Sequence, residues 1–214
     1  MKFLKYYLPL MLKLFGTQII ISLLSNMLFG TLSDLPILLS IGTVCALFVY
    51  FYLQYRTVWE HTCNETMKPA EEQHHRGAIS GLYIGLCNGL PAFIFNLIPV
   101  LFPMHVTENG DLSGGIGKLC YTLAKFFFNG QYVAILHGFF PTKVLTVSDP
   151  VLAAENAHSI LASIPWYLPT FLPLALVTWF AFWLGLKDRS LSQALGIETK
   201  PKKKKERKDP PKLK

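Results

Sequence analysis

The stretch that decides the fold reads Gly77-Ala-Ile-Ser-Gly81-Leu-Tyr-Ile-Gly85-Leu-Cys-Asn-Gly89, with a glycine at every fourth position. It opens an apolar run that covers residues 78–102. Residues four apart share one face of a helix, and glycines on that face let a second backbone approach closely within a membrane. This glycine ladder therefore predicts a polytopic membrane protein in which the helix packs against protein.

The composition supports a membrane protein. Apolar residues make up 51% of the 214 residues and charged residues 15%, against roughly 25% charged in an ordinary soluble domain. The apolar residues form runs of about twenty, the length that crosses a hydrocarbon core. We therefore predict an all-α domain over residues 1–186, with four transmembrane spans at about 14–32, 36–55, 78–102 and 164–186.

The distribution of positive charge decides the number and direction of the spans. The segment 187–214 contains 11 of the 20 lysines and arginines and is predicted to be a disordered cytoplasmic tail. With four spans, 17 basic residues, including those of the tail, lie on the cytoplasmic side of the membrane. Three lie on the other side, namely Lys118, Lys125 and Lys143. A fifth span at 119–140 would place 12 basic residues on the cytoplasmic side and seven on the other side, with Lys125 inside the membrane. The sequence thus favours four spans, with both termini in the cytoplasm.

Residues 104–163 then form an extracytoplasmic segment with unusual character. It contains two apolar halves, 119–128 and 132–140, separated by Asn129-Gly130-Gln131. Ten residues are too few to cross a bilayer as a helix. We therefore expect the pair either to enter and leave the membrane as a re-entrant hairpin or to lie in the interface.

Four amides lie within the predicted spans: Gln18 and Asn26 in the first, Asn88 and Asn96 in the third. Amides inside a membrane bundle commonly join helices by hydrogen bonds. They can equally line a polar pathway, and both interpretations remain open on the sequence alone.

Three prolines recur every four residues at the start of the last span: Pro165, Pro169 and Pro173. Proline removes a backbone donor and bends a helix, so the outer half of this span should be irregular and buried in protein. We predict that this helix packs against the glycine ladder.

One short motif resembles a catalytic sequence. Glu71-Glu72-Gln-His-His-Arg76 has the Glu-Glu-x-x-x-Arg spacing and is similar to the first motif of the CAAX-processing and bacteriocin-processing intramembrane proteases. That resemblance implies that Glu71 and Glu72 activate water and that Arg76 orients it. The family's second motif, Phe-x-x-x-His, is not matched, since Val133 stands four residues before His137.

Other ligands and partners follow from composition and topology. His61, Cys63, His74 and His75 in the predicted loop 56–76 match no zinc spacing, so we predict no metal and no cofactor. Expected partners are the bilayer, anionic lipid headgroups at the tail, and either another membrane protein or further copies of the chain. The tail has no interleaved aromatic residues that would predict specific nucleic-acid binding.

The function predicted from the sequence is a non-enzymatic accessory or structural subunit of the cell membrane, most simply a bacterial cytoplasmic membrane. A small transporter or channel component is the alternative, and a CAAX-type protease the second alternative. The first hypothesis rests on the predicted spans, which contain no carboxylate for a cation site or proton relay.

Overall fold

The computed structural model describes residues 2–32, 35–69, 73, 77–107, 111–140, 150–187, 189 and 191–195. The elements are, in chain order, α1 (Lys2–Leu32), α2 (Pro36–Thr66), α3 (Ile79–Leu101), β1 (His105–Val106), β2 (Leu112–Ser113), α4 (Gly115–Phe127), α5 (Gly130–Phe139), α6 (Pro150–Ser163), a 3-10 segment (Ile164–Thr170), α7 (Phe171–Leu186) and α8 (Leu191–Ala194). Within these described residues, four helices are long and apolar enough to cross a membrane: Phe3–Leu32, Ile37–Thr66, Ile79–Leu101 and Ala153–Leu186. The prediction of a mainly helical chain with four membrane-length helices is confirmed.

The first two helices are longer than the predicted spans. Each has 31 residues, about 46 Å at 1.5 Å per residue. No proline or glycine interrupts the sequence between Arg56 and Thr66, so α2 continues through what hydropathy indicates as a loop. Val58 and Thr62 on this extension are fully buried. The two helices therefore extend the bundle at the end where α1 begins and α7 ends, which we call the terminal end.

The glycine ladder lies at the contact between α3 and α7. A Cβ on Gly81 would collide with Phe182, one on Gly85 would lie 2.7 Å from the Cα of Ala175, and one on Gly89 would lie 2.9 Å from the Cβ of Phe171. Residue numbers rise along the ladder on α3 while the numbers of the contacted residues on α7 fall, so the two helices run antiparallel. Backbone-to-backbone approach of this kind is what small residues permit in membrane bundles.

Gly77 and the three prolines lie away from that contact. Gly77 precedes α3 and adopts φ +70°, a backbone conformation that favours glycine in a turn, with open space where a Cβ would stand. Pro165 and Pro169 lie in the 3-10 segment and Pro173 in the first turn of α7, and all three are exposed. The irregular start of the last span matches the sequence prediction, but α7 meets the ladder through Phe171, Ala175, Thr178 and Phe182 instead of through its prolines.

A helical hairpin fills the space beside α1 and α3. A two-residue antiparallel pair, with His105 opposite Ser113, leads from α3 into α4. Gly117 lies against the carbonyl of Phe102, and Ala124 and Phe128 pack with Ala92, near the middle of α3. The helix breaks at Phe128 and Asn129. Helix α5 then runs back toward the end of the bundle at which α4 begins, and we call this the hairpin end.

Helix α6 begins at Pro150, as expected of a proline in the first helical turn, and continues through the 3-10 segment into α7. At the start of the tail, where the sequence also allows a short interfacial helix, Leu191–Ala194 is helical. Residues 196–214 of the tail lie outside the described residues.

Candidate functional site

The polar face of α1 holds the broken end of α4. The Ser22 hydroxyl donates to the Phe126 carbonyl at 2.8 Å and accepts a hydrogen bond from the Gly130 N–H at 2.7 Å. The Asn26 amide donates to the carbonyls of Lys125 at 3.0 Å and Phe126 at 3.3 Å. A helix end leaves its last carbonyls without intrahelical partners, so these side chains supply donors that an apolar α1 could not.

A reciprocal amide pair fixes the tip of the hairpin to α3. Asn129 Nδ2 donates to Asn96 Oδ1 at 2.6 Å, while Asn96 Nδ2 donates to the Tyr167 carbonyl at 3.1 Å. The Thr170 hydroxyl reaches Asn129 Oδ1 at 3.4 Å and the Tyr167 carbonyl at 2.7 Å. The irregular 3-10 segment thus provides the carbonyl that satisfies Asn96.

Toward the terminal end, the amides are incompletely satisfied. Gln18 Nε2 and Gln131 Nε2 both donate to the Phe128 carbonyl, at 3.4 and 3.0 Å, but neither Oε1 has a protein partner. Gln54 donates to the backbone of α1 and has an unpaired Oε1, and Asn88 has no protein partner at either side-chain atom. All four residues are at most 3% exposed. Unpaired amides at such depth are costly unless water or another polar group reaches them.

A small cavity lies between the two arms of the hairpin and the last span. Its volume is about 70 Å³, room for a few water molecules or one small charged group. It is lined by Phe29, Tyr121, Lys125, Val133, Leu136, Phe140, Ile160, Ser163 and Tyr167. Polar atoms come from one ammonium and three hydroxyls, and the rest of the wall is apolar.

Lys125 is the only charged group among the described residues that line this cavity. Its ammonium lies 5.9 Å from the centre of the Phe29 ring, a distance at which a cation interacts weakly with an aromatic face. Burial lowers the pKa of Lys125 from its ordinary value, because desolvation disfavours the charged form. No described carboxylate lines the cavity to offset that charge.

Two tyrosines line the cavity together with Lys125. The rings of Tyr121 and Tyr167 meet edge to face with centroids 6.2 Å apart, and the Tyr121 hydroxyl interacts with Ser163 and Tyr167. Burial raises the pKa of Tyr121 to about 12, because desolvation disfavours the phenolate. The Ser163 hydroxyl itself donates to the Ile160 carbonyl at 2.7 Å, so the cavity offers an anionic group the ammonium of Lys125 beside hydroxyls that already bond within the protein.

The structure brings together three of the four amides selected from the sequence. Gln18, Asn26 and Asn96 all meet the α4–α5 hairpin, whereas no hydrogen bond within the described residues connects Asn88 to it. Glu71, Glu72 and Arg76 lie outside the described residues.

Sequence reasoning missed the buried Glu65 because it placed this residue in a loop. Glu65 lies in the last turn of α2, is 1% exposed and accepts a hydrogen bond from Tyr7. The uninterrupted run from Arg56 to Thr66 was the available signal, but hydropathy alone does not report it. The predicted absence of carboxylates therefore applies to residues 36–55 and not to the whole of α2.

Cysteines and histidines do not converge in the part of the chain that the structure describes. No group of three or more His, Cys, Asp or Glu residues in this part could hold a metal ion. Cys63 instead packs in α2, with its thiol 3.7 Å from the Gly185 carbonyl.

Comparison with known proteins gives no relative: no protein-family model, curated protein or solved structure matches this chain. Its function is therefore argued from the geometry described above.

Proposed function

We propose that the chain is a component of a small-solute transport system in the membrane, a transporter or channel subunit, and that Lys125 binds an anionic group of the solute. The single observation that carries the proposal is the hairpin cavity, which Lys125 lines together with three hydroxyl-bearing residues and no described carboxylate. An isolated cation is expensive to keep in such a place, and this cost favours a functional counter-ion.

In this proposal the α4–α5 hairpin is re-entrant and enters from the outer side. Phe128, at its tip, packs with Ala92 near the middle of α3, while Phe140 at the end of α5 approaches Trp166 with ring centroids 6.4 Å apart. Broken helices whose exposed backbone groups are satisfied by protein are a common way to build a site within the membrane. The buried contacts of Asn129 support this arrangement over one in which the hairpin lies flat in the interface.

Both termini are cytoplasmic in the same proposal. The basic tail and the lysines at the start of α1 support this orientation, because basic residues are retained on the cytoplasmic side. The hairpin cavity then opens toward the outer side, and a bacterial cytoplasmic membrane is the setting we propose.

The unpaired amides indicate a route beyond the cavity. Gln18 and Gln131 converge on the Phe128 carbonyl, and Asn88 lies on α3 one turn from Ala92, toward the terminal end. Unpaired amide atoms in a bundle core attract water or a polar solute. We propose that the solute or its water passes these groups after it leaves Lys125.

The test uses the full-length protein reconstituted in liposomes and exposed to chloride, acetate, lactate and phosphate gradients, with transported charge measured on solid-supported membranes. At least one anion should give a current in the wild type, which Lys125→Gln abolishes and Lys125→Arg partly retains. Lys118→Gln is the matched control, since Lys118 is an exposed residue on the same helix. Equal currents from wild type and Lys125→Gln with every anion, or no current with any, would overturn the proposal.

A second candidate, the accessory subunit, is favoured by the exposure of α2. Only 17% of its most apolar 18-residue stretch is buried, against 39% in α1 and in α3. Such a helix offers an apolar surface to a partner membrane protein or to another copy of this chain. Purification in mild detergent followed by mass spectrometry tests it: a reproducible stoichiometric partner supports this candidate, and a homo-oligomer without other proteins argues for transport.

A further inference from the structure

Side-chain amide oxygens without partners gather in the bundle core at the tip of the hairpin. Gln18 Nε2 and Gln131 Nε2 donate to the Phe128 carbonyl at 3.4 and 3.0 Å, and Gln54 Nε2 donates to the Leu14 carbonyl at 3.1 Å. Each bond fixes the orientation of its amide, because only the nitrogen can donate to a carbonyl. The Oε1 atom of each glutamine is left over, and it has no hydrogen-bond partner in the described part of the chain.

The three glutamines come from three helices but lie at one level of the bundle. Leu14 precedes Gln18 by one turn of α1, so the Gln54 amide reaches α1 beside Gln18. Gln131 meets Gln18 at the carbonyl that both amides share. Helices α1, α2 and α5 thus bring one unpaired amide oxygen each to the same part of the core.

Asn88 adds a fourth amide from α3. It lies one turn from Ile84 and one turn from Ala92, on the same face of the helix. Ile84 belongs to the core cluster that contains Leu14, and Ala92 to the cluster that contains Phe128. Asn88 therefore lies between these two packed groups, at the level of the glutamines. It is 3% exposed, and neither of its side-chain polar atoms has a partner among the described residues.

We propose that these four side chains, which we call the amide core, bind a sodium ion. They present four unpaired oxygens and one unpaired donor, the Asn88 Nδ2, and this excess of acceptors suits a cation. None of the four is charged, whereas divalent cations in proteins ordinarily take carboxylate ligands as well as amide carbonyls. A monovalent ion is therefore favoured.

The enclosure of the oxygens favours sodium among the monovalent ions. Gln54 and Gln131 are completely buried, and Gln18 and Asn88 are 3% exposed. Four unpaired oxygens held so deeply are costly unless a ligand offsets them. A sodium ion approaches an oxygen more closely than a water molecule or a potassium ion does, so it fits a more confined space.

The broken helix supplies a favourable field at the same place. Helix α4 ends at Phe127, so the Phe128 carbonyl belongs to the C-terminal group of carbonyls that carry partial negative charge. Gln18 and Gln131 are held by this carbonyl, so the amide core lies at the negative end of α4. The C-terminal ends of broken helices coordinate sodium in membrane transporters by the same physics.

A bound sodium ion also explains how an anion could pass a layer of amide oxygens, because its charge offsets theirs. Lys125 lies three residues before Phe128 on α4, so the two sites are neighbours in the hairpin. In this scheme sodium and the anionic solute cross together. The coupling rests on the proposed transport function, whereas the binding of sodium stands on the contacts of the amide core alone.

The experiment measures thermal unfolding of the full-length protein in detergent. Sodium chloride is compared with potassium chloride and with N-methylglucamine chloride at equal ionic strength. Sodium at roughly 100 times its dissociation constant should raise the melting temperature by about 5–10 °C, and the other two salts should not. Retention of radioactive sodium by the purified protein gives a second measurement.

Asn88→Leu should abolish the sodium-dependent rise and the retention of sodium. It should fold, because it replaces an amide that has no partner with an apolar side chain of similar size. Asn64→Leu is the matched control, since Asn64 is an exposed amide on α2, and it should keep the full rise.

Equal melting temperatures of wild type in all three salts would overturn the proposal, as would an equal rise with potassium or an undiminished rise in Asn88→Leu. The sodium site and the proposed transport function fail separately. A sodium-dependent rise without any anion current supports the site and overturns transport, and a current without the rise does the reverse.

Discussion

The Tyr7 hydroxyl donates a hydrogen bond to Glu65 Oε2 at 2.6 Å, and both side chains are almost completely buried. The two residues lie 58 positions apart in sequence and join the first turns of α1 to the last turn of α2. Phe182 on α7 meets the Tyr7 ring with centroids 6.2 Å apart. Through these two contacts Tyr7 ties three of the four long helices together at the terminal end.

Removal of the Tyr7 hydroxyl should weaken that end of the bundle. We expect Tyr7→Phe to lower the free energy of unfolding by about 1.5–3 kcal/mol, because a hydrogen bond to a carboxylate is lost in a buried place. Thermal unfolding of the purified protein in detergent provides the measurement. Tyr83→Phe serves as the control, since Tyr83 is 49% exposed, and an equal loss in both variants would contradict the assignment.

The α3–α7 contact should tolerate no side chain at Gly85. Gly85→Leu places atoms where Ala175 and Thr178 stand, and such overpacking typically costs about 1–3 kcal/mol or more. We expect a lower melting temperature and loss of the compact species on size-exclusion chromatography. Gly30→Leu is the control, because nothing lies within 4 Å of a Cβ at Gly30. If Gly85→Leu behaves like Gly30→Leu, the ladder does not hold these helices together.

The amides at the hairpin tip should be energetically coupled. Asn129→Leu leaves Asn96 Oδ1 without the donor that it has at 2.6 Å, and Asn96→Leu has the reciprocal effect. Each single change should cost more than half of what the double variant costs, because removal of both partners leaves no polar group unsatisfied. A double-mutant cycle of unfolding free energies should give a coupling of about 0.5–3 kcal/mol. Strict additivity would show that the two amides act independently.

The proposed orientation predicts which cysteines react from outside. In a variant without the four native cysteines, Lys118→Cys should react with a membrane-impermeant maleimide on intact cells. Lys68→Cys should react only after the membrane is permeabilised. Both positions are exposed in the structure, so accessibility within the fold does not distinguish them. The opposite pattern would invert the topology, and the hairpin cavity would then open to the cytoplasm.

Much of the architecture is readable from local pattern. The glycine spacing and the apolar runs indicate four membrane-length helices, because burial in lipid requires both length and low polarity. The break at Asn129-Gly130 is also visible, since two ten-residue apolar halves surround a polar turn. Each of these features depends on residues that are close together in sequence, so it can be predicted from the local sequence alone.

The remaining features depend on distant contacts. No local signal relates Lys125 to Ser163 and Tyr167, which reach the same cavity from 38 and 42 positions further along. Likewise, hydropathy ended α2 near Tyr55, whereas its packing extends it to Thr66. Tertiary burial stabilises a polar helical segment that its composition alone would assign to a loop.

The ladder on α3 also sets an order of events in synthesis. Its partner surface begins at Phe171, about 80 residues after Gly89. The ribosome synthesises α1 to α3 and the hairpin first. The glycine face of α3 therefore has no packing partner until α7 has been synthesised. Chains that end before Phe171 should therefore expose a narrow strip of backbone to lipid and to quality-control proteases. Packing of α7 against this strip is the step that completes the bundle.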